Sequence, residues 1–168
     1  MVSAKPEGDF MPDWMTIALE ECGRGVIEVA GVKANPRILM YLASTGLKGT
    51  KLALTDSTAW CSAFACWVME KAGRRSPRSA AARSWLSWGQ PIQLPRPGCI
   101  VVFDRADPNN PNAAHVAFYF SSTTNANVIN VLGGNQRNRV CVAPYDKARV
   151  LGYRWPIVVE SLGDKPTI

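Results

Sequence analysis

Apolar residues recur at helical spacing through the first half of the chain. Four helices are predicted there: Trp14 to Cys22, Pro36 to just before Gly46, Thr58 to Gly73, and Ala80 to Leu86. Asp13 and Asn35 precede the first two as N-caps, because a short polar side chain can accept a hydrogen bond from a free first-turn N–H. The third helix is apolar on almost every face until Glu70, so it is predicted to be the buried central helix.

From Pro97 onward the apolar residues fall into short runs typical of strands. The five runs, each bounded by turn residues, are CIVVF, HVAFYF, VINVL, RVCVAPY and VLGYRW. Helices followed by strands predict an α+β fold with an antiparallel sheet. The ends of the chain, 1–12 and 159–168, are interpreted as tails, so we expect one domain over 13–158, as the length of 168 residues also favours.

Composition excludes several classes of function. With no run of 18 apolar residues, no membrane insertion is expected, and the first residues lack the apolar region of a secretory signal, which predicts synthesis in the cytoplasm. The net charge of +6 suits many polyanions, but the basic stretch 74–83 lacks the interleaved aromatic residues of a nucleic-acid platform. We therefore expect a monomer with no nucleic-acid partner. Five scattered cysteines and one histidine offer no metal-ligand spacing, so neither a metal nor another cofactor is expected.

Two residues combine into a candidate nucleophilic site. Cys61 is predicted at the head of the third helix, where the helix dipole and free N–H groups favour thiolate over thiol. The only imidazole of the chain, His115, begins the HVAFYF run and is the candidate general base. The remaining cysteines fall inside helical or strand-like patterns and are expected to be structural: Cys22, Cys66, Cys99 and Cys141. A thiolate and an imidazole are the usual pair for acyl transfer.

A third polar residue is predicted beside the imidazole. The polar loop SSTTNAN can close a hairpin around Thr124 or Asn125, which places His115 opposite a residue between 133 and 135. Asn135 is therefore the predicted partner that holds the imidazole, and Gln136, one position away, is the alternative. The Gly pair at 133–134 permits an unusual backbone path and a close approach. The N–H of Cys61 is the natural half of an oxyanion hole.

Five motifs together resemble a known family. TAWCSAF, PGCIVVF, HVAFYF, VLGGNQ and LGYRWP occur in the order found in the NlpC-like and CHAP branches of papain-like peptidoglycan hydrolases, in particular a small phage- and secretion-associated subgroup with a WCSAF motif. The resemblance covers about residues 13–156. It implies a papain-like α+β fold, Cys61 as nucleophile, His115 as base and a polar third residue on the next strand. The implied activity is hydrolysis of an amide bond in the stem peptide or the cross-link of peptidoglycan.

Further residues are candidate substrate contacts. Asp56 and Trp60 belong to the pattern of the subgroup around the nucleophile, and Asp56 is expected either to cap the helix or to hold a substrate amine. Trp85 and Trp88 are candidates for lining a groove for a sugar or peptide stem, against the alternative that at least one of them is a core residue. Gln136 is the remaining candidate contact.

Other functions compete with this interpretation. A toxin that uses the same Cys-His pair on protein side chains, as a deamidase or transglutaminase, stays open as an alternative. A non-catalytic binder needs no thiol at a helix head beside the only imidazole. A wall hydrolase made in the cytoplasm needs an exit route, either as an endolysin released by a phage holin or as an antibacterial effector injected into the periplasm of a rival. In the second case an immunity protein is the expected partner.

Overall fold

Helices precede the sheet in the computed structural model, which describes residues 11–31 and 33–157. The helices are α1 (Asp13–Gly23), α2 (Pro36–Leu42) and α3 (Cys61–Lys71), with short 3₁₀ helices at Lys51–Leu54, Ala82–Ser87 and Lys147–Arg149. The strands are β1 (Gln90–Ile92), β2 (Ile100–Asp104), β3 (Ala114–Ser122), β4 (Val128–Gln136), β5 (Arg139–Asp146) and β6 (Val150–Trp155). The predicted α+β class is confirmed. The expected tails, apart from residues 11 and 12, lie outside the described residues.

The observed ends of the helices differ from the predicted ends in several details. Asn35 caps α2 as predicted, since its side chain accepts a hydrogen bond from the N–H of Arg37 at 2.9 Å. Asp13 is not a cap; it is the first residue of α1, and Pro12 occupies the N-cap position. The third helix begins at Cys61 rather than Thr58, because the Thr58 hydroxyl donates to the Leu52 carbonyl in the preceding turn. The fourth predicted helix is a 3₁₀ helix.

The sheet of the described chain contains the five predicted runs and one further strand. The strand order is β1-β6-β2-β3-β4-β5, and all neighbouring strands are antiparallel. Strand β1 was not predicted, because three residues that include Pro91 are too short to show a period. It pairs with the last described strand, with Gln90 opposite Trp155, and so joins two distant parts of the sequence.

Helix α3 packs against one face of the sheet, as its apolar sequence predicts. Its side chains share one core cluster with residues of alternating strand positions, including Val116, Phe118 and Leu132. The intervening positions, such as Ala117 and Val131, form a second cluster on the other face. This arrangement brings the head of α3 to the beginning of β3. None of the helices in the described ranges is long and apolar enough to cross a bilayer.

Candidate active site

The sulfur of Cys61 lies against the first residues of β3. Cys61 is the first residue of α3 and only 4% of its surface is exposed. The backbone of Val116, the residue after His115, lies near enough to the thiol to lower its pKa, as do the backbone groups of Cys61 and Ser62 at the helix head. Cys61 therefore lies near the strand that carries His115.

Burial decides the protonation state of the resting thiol. Burial raises the pKa of Cys61 above its usual range, and this outweighs the Val116 backbone, the positive charge of Arg105 and the backbone at the helix head, which lower it. The expectation that the helix head makes Cys61 a thiolate at rest is therefore wrong. A helix terminus favours a thiolate only to the extent that the charge remains solvated or paired, and neither condition holds for this closed site.

The His115 side chain is held by Gln136. His115 is 1% exposed, and its Nε2 lies 3.0 Å from Oε1 of Gln136. The amide nitrogen of Gln136 donates to the backbone carbonyls of Cys141 at 2.5 Å and Val131 at 3.3 Å, which leaves its oxygen facing the ring. Nε2 of His115 therefore carries the proton, and Nδ1 keeps its lone pair. Nδ1 is buried and has no hydrogen-bond partner among the residues described.

The imidazole is neutral at ordinary pH and is clamped between aromatic rings. Burial lowers the pKa of His115 to about 4; the hydrogen bond to Gln136 opposes this change, and the charge of Arg105 adds to it. The Tyr145 ring stacks on the imidazole with centroids 5.0 Å apart and planes 2° apart, and Phe103 lies at 6.4 Å. The site thus holds a neutral base with one free nitrogen in a defined orientation.

Asn135, the predicted third residue, does not contact the imidazole. The predicted pairing is correct for the backbone, since Phe118 pairs with Leu132 in a hairpin centred on Asn125. An irregularity between Gly133 and Gln136, together with a φ of 54° at Asn135, breaks the alternation of side chains. The Asn135 amide instead donates to Glu28 at 3.1 Å and accepts from the N–H of Trp60 at 3.3 Å. It braces the head of α3, and its neighbour Gln136 reaches the ring.

The two glycines before Asn135 provide space on opposite sides of β4. A Cβ on Gly133 would lie 2.9 Å from the Cβ of Ala117 and 3.1 Å from Oε1 of Gln136. A Cβ on Gly134 would lie 2.6 Å from the Cβ of Phe64 and 2.7 Å from the Trp60 ring. The predicted close approach is confirmed. Gly133 leaves room for the Gln136 amide that holds the imidazole, and Gly134 lets β4 pack on helix α3.

Asp56 and Trp60 belong to the framework beneath the site. The Asp56 carboxylate accepts hydrogen bonds from the N–H groups of Val29 at 2.8 Å and Asn35 at 2.9 Å, so it anchors the segment between α1 and α2. The cap predicted for Asp56 is wrong, because Trp60 is the N-cap residue of α3 and no side chain caps it. Trp60 is fully buried, and its indole N–H donates to Glu28 at 2.8 Å, which leaves no surface for a substrate.

Trp85 is a core residue rather than part of a groove. It is fully buried, and its indole N–H donates to the Ser62 hydroxyl at 2.9 Å, while that hydroxyl donates to the Ser79 carbonyl at 2.6 Å. The core role predicted for at least one of Trp85 and Trp88 is thus confirmed. Ser62 follows Cys61 directly, so this network also holds the first turn of α3.

Sequence reasoning missed Tyr145 and Arg105 at the site. Tyr145 lies in the predicted run RVCVAPY, and strand alternation alone does not show that its ring reaches the imidazole across β4. Arg105 directly follows β2, and Phe103 of β2 pairs with His115. Pairing the predicted strands CIVVF and HVAFYF would have placed Arg105 at the same end of the sheet as His115. Within the described ranges, no group of three or more His, Cys, Asp or Glu side chains is arranged to hold a metal.

Comparison with known proteins identifies the segment that carries this geometry. The model of the CHAP domain matches residues 54–135, which include Cys61 and His115 and end one residue before Gln136. No curated protein and no solved structure matches the chain. The matched segment includes all of α3, which begins at Cys61, and all of β3, which contains His115. The match of residues 54–135 to the CHAP domain is consistent with a CHAP-type papain-like cysteine peptidoglycan hydrolase.

Proposed function

We propose that the chain hydrolyses an amide bond in the stem peptide or the cross-link of peptidoglycan. Cys61 is the nucleophile, His115 is the general base, and Gln136 orients the imidazole. The observation that carries the proposal is the buried, unpartnered Nδ1 of a ring whose other nitrogen is fixed by Gln136, next to a residue whose backbone contacts the Cys61 sulfur. Such a nitrogen is the atom that a general base requires.

The reaction starts from a neutral thiol and a neutral imidazole. Nδ1 of His115 takes the proton of Cys61 while the sulfur attacks the carbonyl carbon of the amide, and the carbonyl oxygen becomes an oxyanion. The N–H of Cys61 at the helix head is one donor to that oxyanion. The imidazolium is stabilised by the oxygen of Gln136, which accepts the proton on Nε2.

Collapse of the tetrahedral intermediate breaks the C–N bond. The imidazolium of His115 returns its proton to the leaving amine, and the acyl group remains on Cys61 as a thioester. Water then attacks the thioester while Nδ1 accepts its proton, and release of the carboxylic acid restores the thiol. Asn135 enters this scheme as a positioning residue, because it braces Trp60 directly before the nucleophile.

The setting of this activity is the bacterial cell wall. We propose action either as an endolysin released by a phage holin or as an antibacterial effector delivered by a secretion machine. Product masses identify the bond that is cut, whether it joins the glycan to L-alanine, follows the γ-D-glutamyl group or forms the cross-link.

The test is digestion of purified sacculi, with the released fragments analysed by liquid chromatography and mass spectrometry. We expect new amino groups and defined muropeptide products from the wild type, and none from Cys61→Ala. Cys66→Ala is the matched control, since Cys66 is a buried thiol in the same helix whose sulfur contacts the Ser79 carbonyl at 3.7 Å. Circular dichroism verifies the fold of both variants. Undiminished digestion by Cys61→Ala, or modification of protein glutamines with no wall products, would contradict the proposal.

A further inference from the structure

One hydrogen bond does not fix the plane of the candidate base. Nε2 of His115 lies 3.0 Å from Oε1 of Gln136, and Nδ1 has no hydrogen-bond partner among the residues described. The ring can still turn about its Cβ–Cγ bond, since the χ2 torsion of a histidine has broad minima. Such a turn moves Nδ1 farther than Nε2, because Nδ1 lies farther from the extended line of that bond. The direction of Nδ1 therefore needs a second constraint, which packing has to provide.

The ring of Tyr145 provides a constraint of this kind. It stacks on the imidazole with ring centroids 5.0 Å apart and planes 2° apart, within the range of an offset stack. Phe103, which is 1% exposed, lies beside both rings, with its centroid 4.7 Å from that of Tyr145 and 6.4 Å from that of His115. A turn of the imidazole about its Cβ–Cγ bond would push one edge of the ring toward the tyrosine face. The stack therefore opposes the motion that the hydrogen bond to Gln136 leaves free.

The fold holds Tyr145 in place without help from the imidazole. Tyr145 pairs with Ile129 of β4 and packs against the apolar cluster on the face of the sheet away from α3. The short 3₁₀ helix after β5 leads into β6, whose first residue, Val150, pairs with Phe103. Phe103 is also the residue opposite His115 in β3. The connection from β5 to β6 thus returns the chain to the strand end that carries the imidazole, and there the two rings meet.

A charge on Tyr145 does not account for its place beside the base. The polar and titratable groups around the imidazole are Gln136 of β4, Tyr145 of β5, Cys61 at the head of α3 and the charged Arg105 beyond β2. Burial raises the pKa of both Tyr145 and Cys61, so both side chains are neutral at neutral pH. Tyr145 therefore acts on the imidazole through the packing of its ring and the water that the ring excludes.

We propose that Tyr145 is a positioning residue whose ring fixes the plane of the His115 imidazole, and thereby the direction of Nδ1, while Gln136 fixes Nε2. The inference rests on the proposed function, which makes His115 the general base, and it divides the orientation of that base between two contacts. The face of the tyrosine ring makes the contact, so a phenylalanine can replace it and an aliphatic side chain cannot.

The first test measures the protonation of the base without any substrate. His115 is the only histidine of the chain, so its imidazole gives one set of resonances in a pH titration followed by nuclear magnetic resonance. The wild type should titrate with a pKa of about 4, which burial of the ring causes. In Tyr145→Leu, water gains access to one face of the ring, so the pKa should rise toward the ordinary value of 6.5. Tyr145→Phe should keep the wild-type pKa.

The second test measures orientation separately from protonation. A soluble muropeptide that the wild type cuts is hydrolysed at pH 8, where the imidazole is neutral whether its pKa is about 4 or 6.5. Tyr145→Leu should lower kcat about tenfold with little change in KM, because a strong aromatic pair biases a rotamer by about that factor. Tyr145→Phe should retain most of kcat. Tyr145→Met is a second variant, since its flexible side chain refills the space without a flat face and should resemble Tyr145→Leu.

Tyr153→Leu is the matched control for the loss of a ring. Tyr153 is also partly buried against the same apolar cluster, but it lies on β6, where it pairs with Ile92 and Val101. Its replacement removes an equal ring from the cluster and should leave both the pKa of His115 and kcat unchanged. Circular dichroism verifies the fold of each variant.

The outcomes separate the inference from the proposed function. An unchanged kcat or an unchanged pKa of His115 in folded Tyr145→Leu or Tyr145→Met would overturn the inference. A loss in Tyr145→Phe as large as that in Tyr145→Leu would also overturn it, since the hydroxyl would then be the acting group, and so would equal changes in Tyr153→Leu. If the wild type cuts no peptidoglycan, the proposed function fails and the titrations decide the inference alone. A pKa that rises in Tyr145→Leu, but not in Tyr145→Phe or Tyr153→Leu, supports it.

Discussion

The two ends of helix α3 differ in how deeply the polar groups around them are buried. At its head, Cys61, His115 and Gln136 are at most 4% exposed, and the amide of Gln136 is oriented by backbone carbonyls. Beyond its last turn, cavities of about 540 and 770 Å³ open among Arg74, Arg75 and other side chains that reach solvent. The candidate catalytic groups thus lie in the closed part of the molecule. The large cavities lie where exposed basic side chains leave space between them. Buried polar side chains with a fixed orientation are the better indicator of a catalytic site.

The largest expected effect comes from removing the group that orients the base. Gln136→Ala should lower kcat about 10²-fold, because the imidazole loses its orientation and the imidazolium loses an acceptor. The hydrogen bond from Gln136 raises the pKa of His115, so the acid limb of the pH–rate profile should also move to lower pH in this variant. Rates measured from pH 3.5 to 8, with far-ultraviolet circular dichroism at each pH, provide the check.

Two control variants sharpen that result. Gln136→Glu should move the acid limb to higher pH, because a carboxylate beside the ring favours the imidazolium. Asn135→Ala should leave the limb in place and lower the rate less, since Asn135 contacts Trp60 and Glu28 rather than the ring. A larger loss in Asn135→Ala than in Gln136→Ala would return the role of the third residue to Asn135.

A second prediction concerns the stability of the closed end. The pKa of His115 is about 4 in the folded protein, whereas the ordinary value of 6.5 applies to the unfolded chain. The folded state therefore favours the neutral ring. The unfolded chain binds the additional proton between these values. The stability that the neutral ring contributes is therefore complete above pH 6.5 and is lost as the pH falls toward 4, by about 3 kcal/mol in the free energy of unfolding.

Urea unfolding at pH 7 and pH 4 measures this loss. His115→Gln carries no titrating ring, so its free energy of unfolding should decrease less between the two pH values than that of the wild type. An identical decrease in both proteins would show that the imidazole is solvated and that the head of α3 is more open than described.

The smallest effect is expected at the other end of the helix. Arg78 pairs with Glu70 at 2.8 Å, but the Arg78 side chain is 74% exposed, so water and salt screen the pair. Arg78→Gln should change neither the midpoint of urea unfolding nor the rate of sacculus digestion by a resolvable amount. Loss of digestion in Arg78→Gln would mean that the arginine-lined cavities bind the wall polymer, and the contrast between the two ends would then fail.

Sequence alone determined the parts of this protein that depend on local pattern. Helical and alternating periods place Cys61 at the head of a buried helix and His115 at the start of a strand, and a polar loop sets the pairing of β3 with β4. These features follow from neighbouring residues and from the geometry of helices and strands, which do not depend on the rest of the fold. Strand β1 shows the limit, because only its pairing with β6 makes it a strand.

Only the tertiary structure decided which side chains meet. The irregularity after Gly133 exchanges the roles of Asn135 and Gln136, and it exists because β4 must pack on α3 and still leave room for the Gln136 amide. Packing also set the protonation of Cys61: the dipole of a helix can be inferred from sequence, but the loss of solvent around the sulfur depends on several elements closing over it. Interactions between residues distant in sequence, and the desolvation they produce, leave no pattern in the local sequence. The residue that contacts the imidazole and the protonation of Cys61 could therefore be read only from the tertiary structure.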